Sequence, residues 1–127
     1  MKEDSKNISV LVIEKSDDYI FSYNEVFNLF LPSYNLRYVK TIDELKEEIK
    51  DNFQYDIAIS EVFIFGGNWR DILQYIENKI EKIIFTSAYD ITFPCIKNLV
   101  KLGYPYMEKP FKIDELKEKV NLKFNYT

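Results

Sequence analysis

Apolar positions along this chain follow two rhythms that take turns. The run "ISVLVI" (Ile8 to Ile13) is continuous and rich in β-branched residues, as in a strand covered on both faces within a parallel sheet. After "EKSDD", the stretch "YIFSYNEVFNLFL" places Ile20, Tyr23, Phe27, Phe30 and Leu31 at helical spacing, and Pro32 stops it. "YNLRYVK" alternates as a short strand. Thr41 then precedes "IDELKEEIK", with Glu44 three residues on at capping-box spacing and Ile42, Leu45 and Ile49 on the buried face. "YDIAIS" is a third strand. "GGN" opens a loop before "WRDILQYIENK", a helix with Ile72, Leu73 and Ile76 inward. "KIIFTS" is a fourth strand, and "ITFPCIKNLVKLG" a helix stopped by Gly103. "YPYMEK" is a fifth strand. "KIDELKEKVNLKF" is a last amphipathic helix with Ile113, Leu116, Val120 and Leu122 or Phe124 inward.

Strand and helix thus alternate five times with short connections, which predicts an α/β domain: a parallel sheet with helices on both faces. The 127 residues fit a single domain spanning 1–127, with residues 1–7 ("MKEDSKN") expected as a flexible segment.

Composition narrows the chemistry. Apolar residues make up 46% of the chain, enough for a core, and the net charge of −4 provides no global basic field for nucleic acid or anionic membrane. The sequence has no histidine, which rules out His-based acid–base catalysis, Ser-His-Asp triads and ordinary zinc sites. Cys95 is the single cysteine, so no intrachain disulfide or CxxC site can form; its expected place is as a small hydrophobe in the fourth helix. No apolar run approaches the roughly 20 residues that span a bilayer, and the polar start lacks a signal-type apolar region. The chain is therefore expected to be cytoplasmic.

The candidate chemistry lies where strands end. "YDIAISEVFIFGG" closes its apolar run on Glu61, and in α/β sheets ligands collect at the carboxyl ends of strands. Lys109-Pro110-Phe111 ends the fifth strand, Ser87-Ala88 ends the fourth, Tyr106 lies three residues before Lys109, and Gly66 follows Glu61 in the next loop. In this order and spacing the chain resembles the receiver domain of two-component response regulators over essentially its full length. The resemblance implies a flavodoxin-like, doubly wound five-stranded sheet in order 2-1-3-4-5 with five helices. It implies a phosphate-accepting Asp ending the third strand and two acids after the first that hold Mg²⁺. Ser87 and Tyr106 fall at the switch positions of the family, and Lys109 at its strand-five lysine.

The pocket departs from that pattern. Glu61 stands at the acceptor position, Glu14 at the first metal-binding acid, and Lys15 replaces the second; Phe65 replaces a proline in the following loop. Asp17 and Asp18 lie too far past the strand and are expected to cap and charge the first helix. The family pocket has three carboxylates and a lysine; Glu14 and Glu61 against Lys15 and Lys109 sum to zero without a metal. Mg²⁺ binding is therefore expected to be lost, and no other cofactor or metal site is expected. Phosphoryl transfer would lose its main source of charge stabilisation, and the longer Glu61 would misplace the attacking oxygen. Glu61 has two readings: an ion pair with Lys15 or Lys109, or mimicry of a phosphorylated state. Trp69 is either an exposed contact or a lid over the pocket.

The expected function is a regulatory protein-interaction module of two-component-type signalling: a receiver-like domain that is neither phosphorylated nor an enzyme. The resemblance points to a protein partner or homodimer on the face of the fourth helix, fifth strand and fifth helix. That face carries Lys97, Lys101, Tyr104, Tyr106, Lys112 and Lys119. Neither direct nucleic-acid binding nor membrane attachment is expected. Two alternatives remain open: a working phosphoacceptor with altered metal use, which needs Asp17 or Asp18 to swing inward, and a small-ligand module on a flavodoxin-like sheet.

Overall fold

The computed structural model describes residues 7–50 and 54–121. Along the chain run β1 (Ile8–Ile13), α1 (Asp17–Phe30), β2 (Tyr34–Val39), α2 (Ile42–Lys50), β3 (Ile57–Glu61), β4 (Phe63–Ile64), β5 (Gly67–Asn68), α3 (Trp69–Ile76), β6 (Lys82–Ser87), α4 (Pro94–Lys101), β7 (Tyr106–Glu108) and α5 (Ile113–Val120). Five of the strands form one sheet in the order β2-β1-β3-β6-β7. Every pairing in it is parallel. Counting only these five strands, the order is 2-1-3-4-5, the doubly wound arrangement that the resemblance to receiver domains implies. Residues 1–6 of the expected flexible segment, and Leu122 and Phe124, lie outside the described residues.

The continuous apolar runs are explained by burial on both sheet faces. Leu11, Ile13, Ala58, Ile83 and Phe85 point to one side, where α2, α3 and α4 cover them with Ile42, Leu45, Ile72, Ile76, Ile96 and Leu99. Val10, Val12, Ile57, Ile59, Ile84 and Met107 point to the other, under Tyr23 and Phe27 of α1 and Leu116 and Val120 of α5. Each fully buried aliphatic or aromatic side chain contributes on the order of 1.5–3 kcal/mol, so the two layers together fix where the strands end.

Local chemistry sets the helix starts, with departures from the sequence reading. Ser16, rather than Asp17 or Asp18, caps α1: its Oγ accepts the Tyr19 N–H at 3.3 Å. The two aspartates occupy the first turn, where negative charge is favoured. At α2 the Thr41 Oγ1 accepts the Glu44 N–H at 3.0 Å, but the Glu44 carboxylate reaches the Lys40 N–H at 2.7 Å, one residue earlier than a standard box. Thr41 is meanwhile bridged to Phe65, and the Ile42 N–H donates to the Phe65 carbonyl.

The stretch after Glu61 is more ordered than a plain loop. Phe63–Ile64 and Gly67–Asn68 pair as a two-residue antiparallel ladder, turned by Gly66 in the left-handed region at φ 95°. A Cβ on Gly67 would come within 2.8 Å of an Asp71 carboxylate oxygen, because Asn68 and Asp71 form a full capping box there. This closure draws Trp69 into the core at 3% exposure, edge-on to Phe85 with ring centroids 6.5 Å apart. Trp69 is therefore neither a surface contact nor a lid. Helix α4 begins at Pro94, later than expected, because Asp90 caps an intervening turn by accepting the Thr92 N–H at 2.9 Å. Phe30, expected inward, is 45% exposed. Among the described residues no helix is long and apolar enough to cross a membrane.

Candidate functional site

The carboxyl ends of β1, β3, β6 and β7 lie side by side, so the polar residue at or just after the end of each strand enters one small region. Glu14 follows β1, Glu61 ends β3, Ser87 ends β6, and Lys109 follows β7. Glu14, Glu61 and Ser87 are buried, with 1%, 6% and 2% of their surface exposed.

Lys109 organises the acidic half. Its Nζ donates to Glu14 Oε1 at 2.8 Å and also to Glu61 Oε2. The other Glu14 oxygen accepts the Ser16 N–H at 3.1 Å. The ammonium further lies over the Tyr19 ring, 3.9 Å from its centroid, so an aromatic face closes the side that the carboxylates leave open. Two buried acids thus share one cation, and the remaining charge falls on Lys15. That side chain is exposed and has no ion pair among the described residues, so it lies at the rim instead of within the cluster. Burial, helped by the neighbouring Glu14 charge, pushes the Glu61 carboxyl above the usual glutamate value. The hydrogen bond and charge of Lys109, and the charge of Lys15, pull the other way and only partly offset it.

The second half of the site is a hydroxyl relay. Ser87 Oγ lies 2.6 Å from the Tyr106 hydroxyl and accepts the Tyr89 N–H at 3.1 Å. The Tyr106 hydroxyl is in turn in contact with the Tyr89 carbonyl. One phenolic proton can serve one acceptor; given to Tyr89, it leaves Ser87 as donor to the phenol oxygen. Tyr106 is therefore turned toward Ser87 and ties β7 to the loop after β6. Its hydroxyl is pushed to a higher pKa by burial, so it stays a donor at neutral pH.

Several residues at the site carried no expectation from sequence. Tyr19 covers Lys109 because Ser16 starts α1 directly beneath the strand ends. The Tyr23 hydroxyl is buried without a partner, and its pKa is raised by burial and by the charges of Glu14 and Glu61. Asp17 pairs with Lys40 at the end of β2 and so is turned away from the pocket. Of the expected interaction face, Lys97, Lys101 and Lys112 are exposed and Lys119 is half-buried. Tyr104 and Tyr106 do not join them: Tyr104 packs edge-on against Phe85 at 5.6 Å and donates to Glu77 at 2.9 Å, and Tyr106 faces Ser87.

No family model matches the chain, and no curated protein is similar to it in sequence. Among solved structures it is similar to the signal receiver domain of a putative LuxO repressor protein from Vibrio parahaemolyticus. That pair aligns with a TM-score of 0.77 at 21% identity, covering 91% of this chain and 88% of the other. A two-component response regulator from Clostridium difficile aligns with a TM-score of 0.77 at 18% identity, covering 90% and 93%. The receiver domain of a Pseudomonas aeruginosa sensor histidine kinase, solved with a magnesium ion in its active-site cleft, aligns with a TM-score of 0.71 at 17% identity over 89% and 93%. The chain therefore has the flavodoxin-like fold of response regulator receiver domains.

Proposed function

We propose that this domain is a regulatory protein-interaction module of two-component-type signalling in which the phosphoryl chemistry of the receiver fold has been replaced by a fixed ion cluster. The observation that carries this reading is Lys109 donating to both Glu14 and Glu61. The residues do not suit Mg²⁺. A divalent ion needs several oxygen ligands in near-octahedral order. Here the two carboxylates at the cleft already share an ammonium, and the second metal-binding acid of the fold is Lys15. Among the described residues no three His, Cys, Asp or Glu side chains converge on a metal position.

Glu61 serves in this reading as a structural partner of Lys109, not as an imitation of a phosphorylated acid. One carboxylate has a single charge and two oxygens, and one of those oxygens is occupied by Lys109; a phosphoryl group brings three oxygens and close to two charges. Nothing in the cluster performs catalysis. Signalling then depends on the surface: Lys97 and Lys101 of α4 and Lys112 and Lys119 around α5 form the basic flank that a partner would contact.

The test is incubation with acetyl phosphate and millimolar Mg²⁺, followed by intact mass. An unchanged mass is expected. A phosphoryl increment that maps to Glu61, Asp17 or Asp18 would sink the reading.

A further inference from the structure

Two exposed helix faces mix apolar side chains with unpaired charge, and their charges are opposite. On α1 Phe21 at 66% and Leu29 at 70% exposure face outward, with the exposed Glu25 one turn from each. Eight residues separate them, about 12 Å along a helix. Asp18 and Glu25 are exposed on the same helix and have no ion pair among the described residues, and α1 contains no lysine or arginine. On α4 a shallow groove of about 570 Å³ is lined by Ile91, Pro94, Val100, Lys97, Asn98 and Lys101. Ile91 is 60% and Val100 40% exposed. Lys97 and Lys101 also have no ion pair among the described residues, and α4 contains no acid.

We infer that the α4 groove receives helix α1 of a second copy of this chain, with Phe21 and Leu29 on its apolar floor and Asp18 and Glu25 beside Lys97 and Lys101. The inference rests on reading the chain as an interaction module and assigns one occupant to one of its faces. Exposed apolar stripes flanked by unpaired charge mark association surfaces more often than isolated exposed residues do. Here donor and acceptor are both present on one chain, and their signs match. Helix α1 covers one face of the sheet and α4 the other. Two copies therefore cannot satisfy both contacts in a single two-fold pair. The contact is head-to-tail and propagates, giving species larger than a dimer as concentration rises.

The mode is tested with two surface variants in sedimentation velocity from micromolar to millimolar protein. K97E/K101E removes the acceptor and keeps the donor; F21S/L29S removes the donor and keeps the acceptor. The wild type is expected to grow beyond two chains, less so in high salt. Each variant alone should remain monomeric with unchanged circular dichroism. Their equimolar mixture should stop at two chains, because one intact α1 meets one intact α4 and both outer ends are blocked. A wild type monomeric at millimolar concentration would overturn the inference. So would a mixture that stays monomeric, or self-association by either variant. None of these outcomes bears on phosphorylation, so the reading of the cluster would survive them.

Discussion

Tyr19 covers Lys109: the ammonium lies 3.9 Å from the centre of the ring, while its hydrogen bonds go to Glu14 and Glu61 on the other side. A lysine 8% exposed is thereby held between two carboxylates and an aromatic face. Breaking a buried ion cluster by removing one member costs far more than the cluster is worth as a unit, because the charge left behind stays buried.

Replacing Lys109 by Met should therefore destabilise the domain by about 3–5 kcal/mol at neutral pH. The loss should shrink in acid. Without the cation that pulls it down, the buried Glu61 carboxyl is raised further above its unfolded value, so stability is retained below the unfolded value and lost as pH rises through the folded one. Urea titrations at acidic and neutral pH check this; equal losses at both would show that the ammonium does not hold the acids.

Glu61→Gln tests the other end of the pair. The Glu61 carboxyl is raised above its ordinary 4.5, so the folded state binds its proton more readily than the unfolded state does. Its contribution to stability is fully present below pH 4.5 and is lost as pH rises through the raised value. The Gln variant lacks that decline. Its stability relative to wild type should therefore improve with rising pH and end within about 1 kcal/mol at neutrality. A difference between the two proteins that does not change with pH would contradict the raised value.

Tyr106→Phe should remove the bond to the Tyr89 carbonyl and the acceptor used by Ser87. A loss of about 0.5–1.5 kcal/mol is expected, with faster amide exchange at Tyr89 and through the loop into α4. Unchanged exchange there would mean that the hydroxyl relay does not hold the loop.

The sheet was legible because Ile8–Ile13, Ile57–Ile59 and Ile83–Phe85 are continuous apolar runs, as strands covered on both faces are, with polar residues where each strand ends. Glu61 follows from its place at the close of the third run, while Glu14, Ser87 and Lys109 came from the resemblance to receiver domains, Lys109 through its Lys-Pro pair after the shortest strand of the five-stranded sheet. Tyr19, Trp69 and Lys15 were not legible, because each depends on a tertiary relation. The phase of α1 beneath the strand ends decides which ring meets Lys109. The Asn68–Asp71 box and the small hairpin before it decide that Trp69 turns inward. Lys15 follows a buried glutamate directly, and sequence adjacency does not say which of two neighbours enters the cleft. Phe30 misled in the opposite way: α1 has more apolar residues than one sheet face can cover.

On the proposed reading of the cluster, metal binding and phosphoryl uptake should be obtained in the double variant Lys15→Asp, Glu61→Asp. The first change places an acid beside Glu14 and removes the rim cation that now favours ionised Glu61. The second withdraws the carboxylate from Lys109 by about one C–C bond, loosening the contact that occupies it. Lys109 and Ser87 are already in place, so three carboxylates would face one ammonium, a net charge that a divalent ion can neutralise. The variant should be less stable than wild type without metal, since clustered acids repel. Millimolar Mg²⁺ should restore part of that stability, because the ion binds only the folded form. Weak phosphoryl uptake from acetyl phosphate should accompany it, read by intact mass. Either single change should do little: Lys15→Asp alone leaves Glu61 clamped by Lys109, and Glu61→Asp alone leaves a cation where the second metal ligand belongs. A double variant that folds but ignores Mg²⁺ would show that Lys109 and Tyr19 hold the cleft shut. Changing Tyr19 to Ala in that background would then separate the ring's share from the ammonium's.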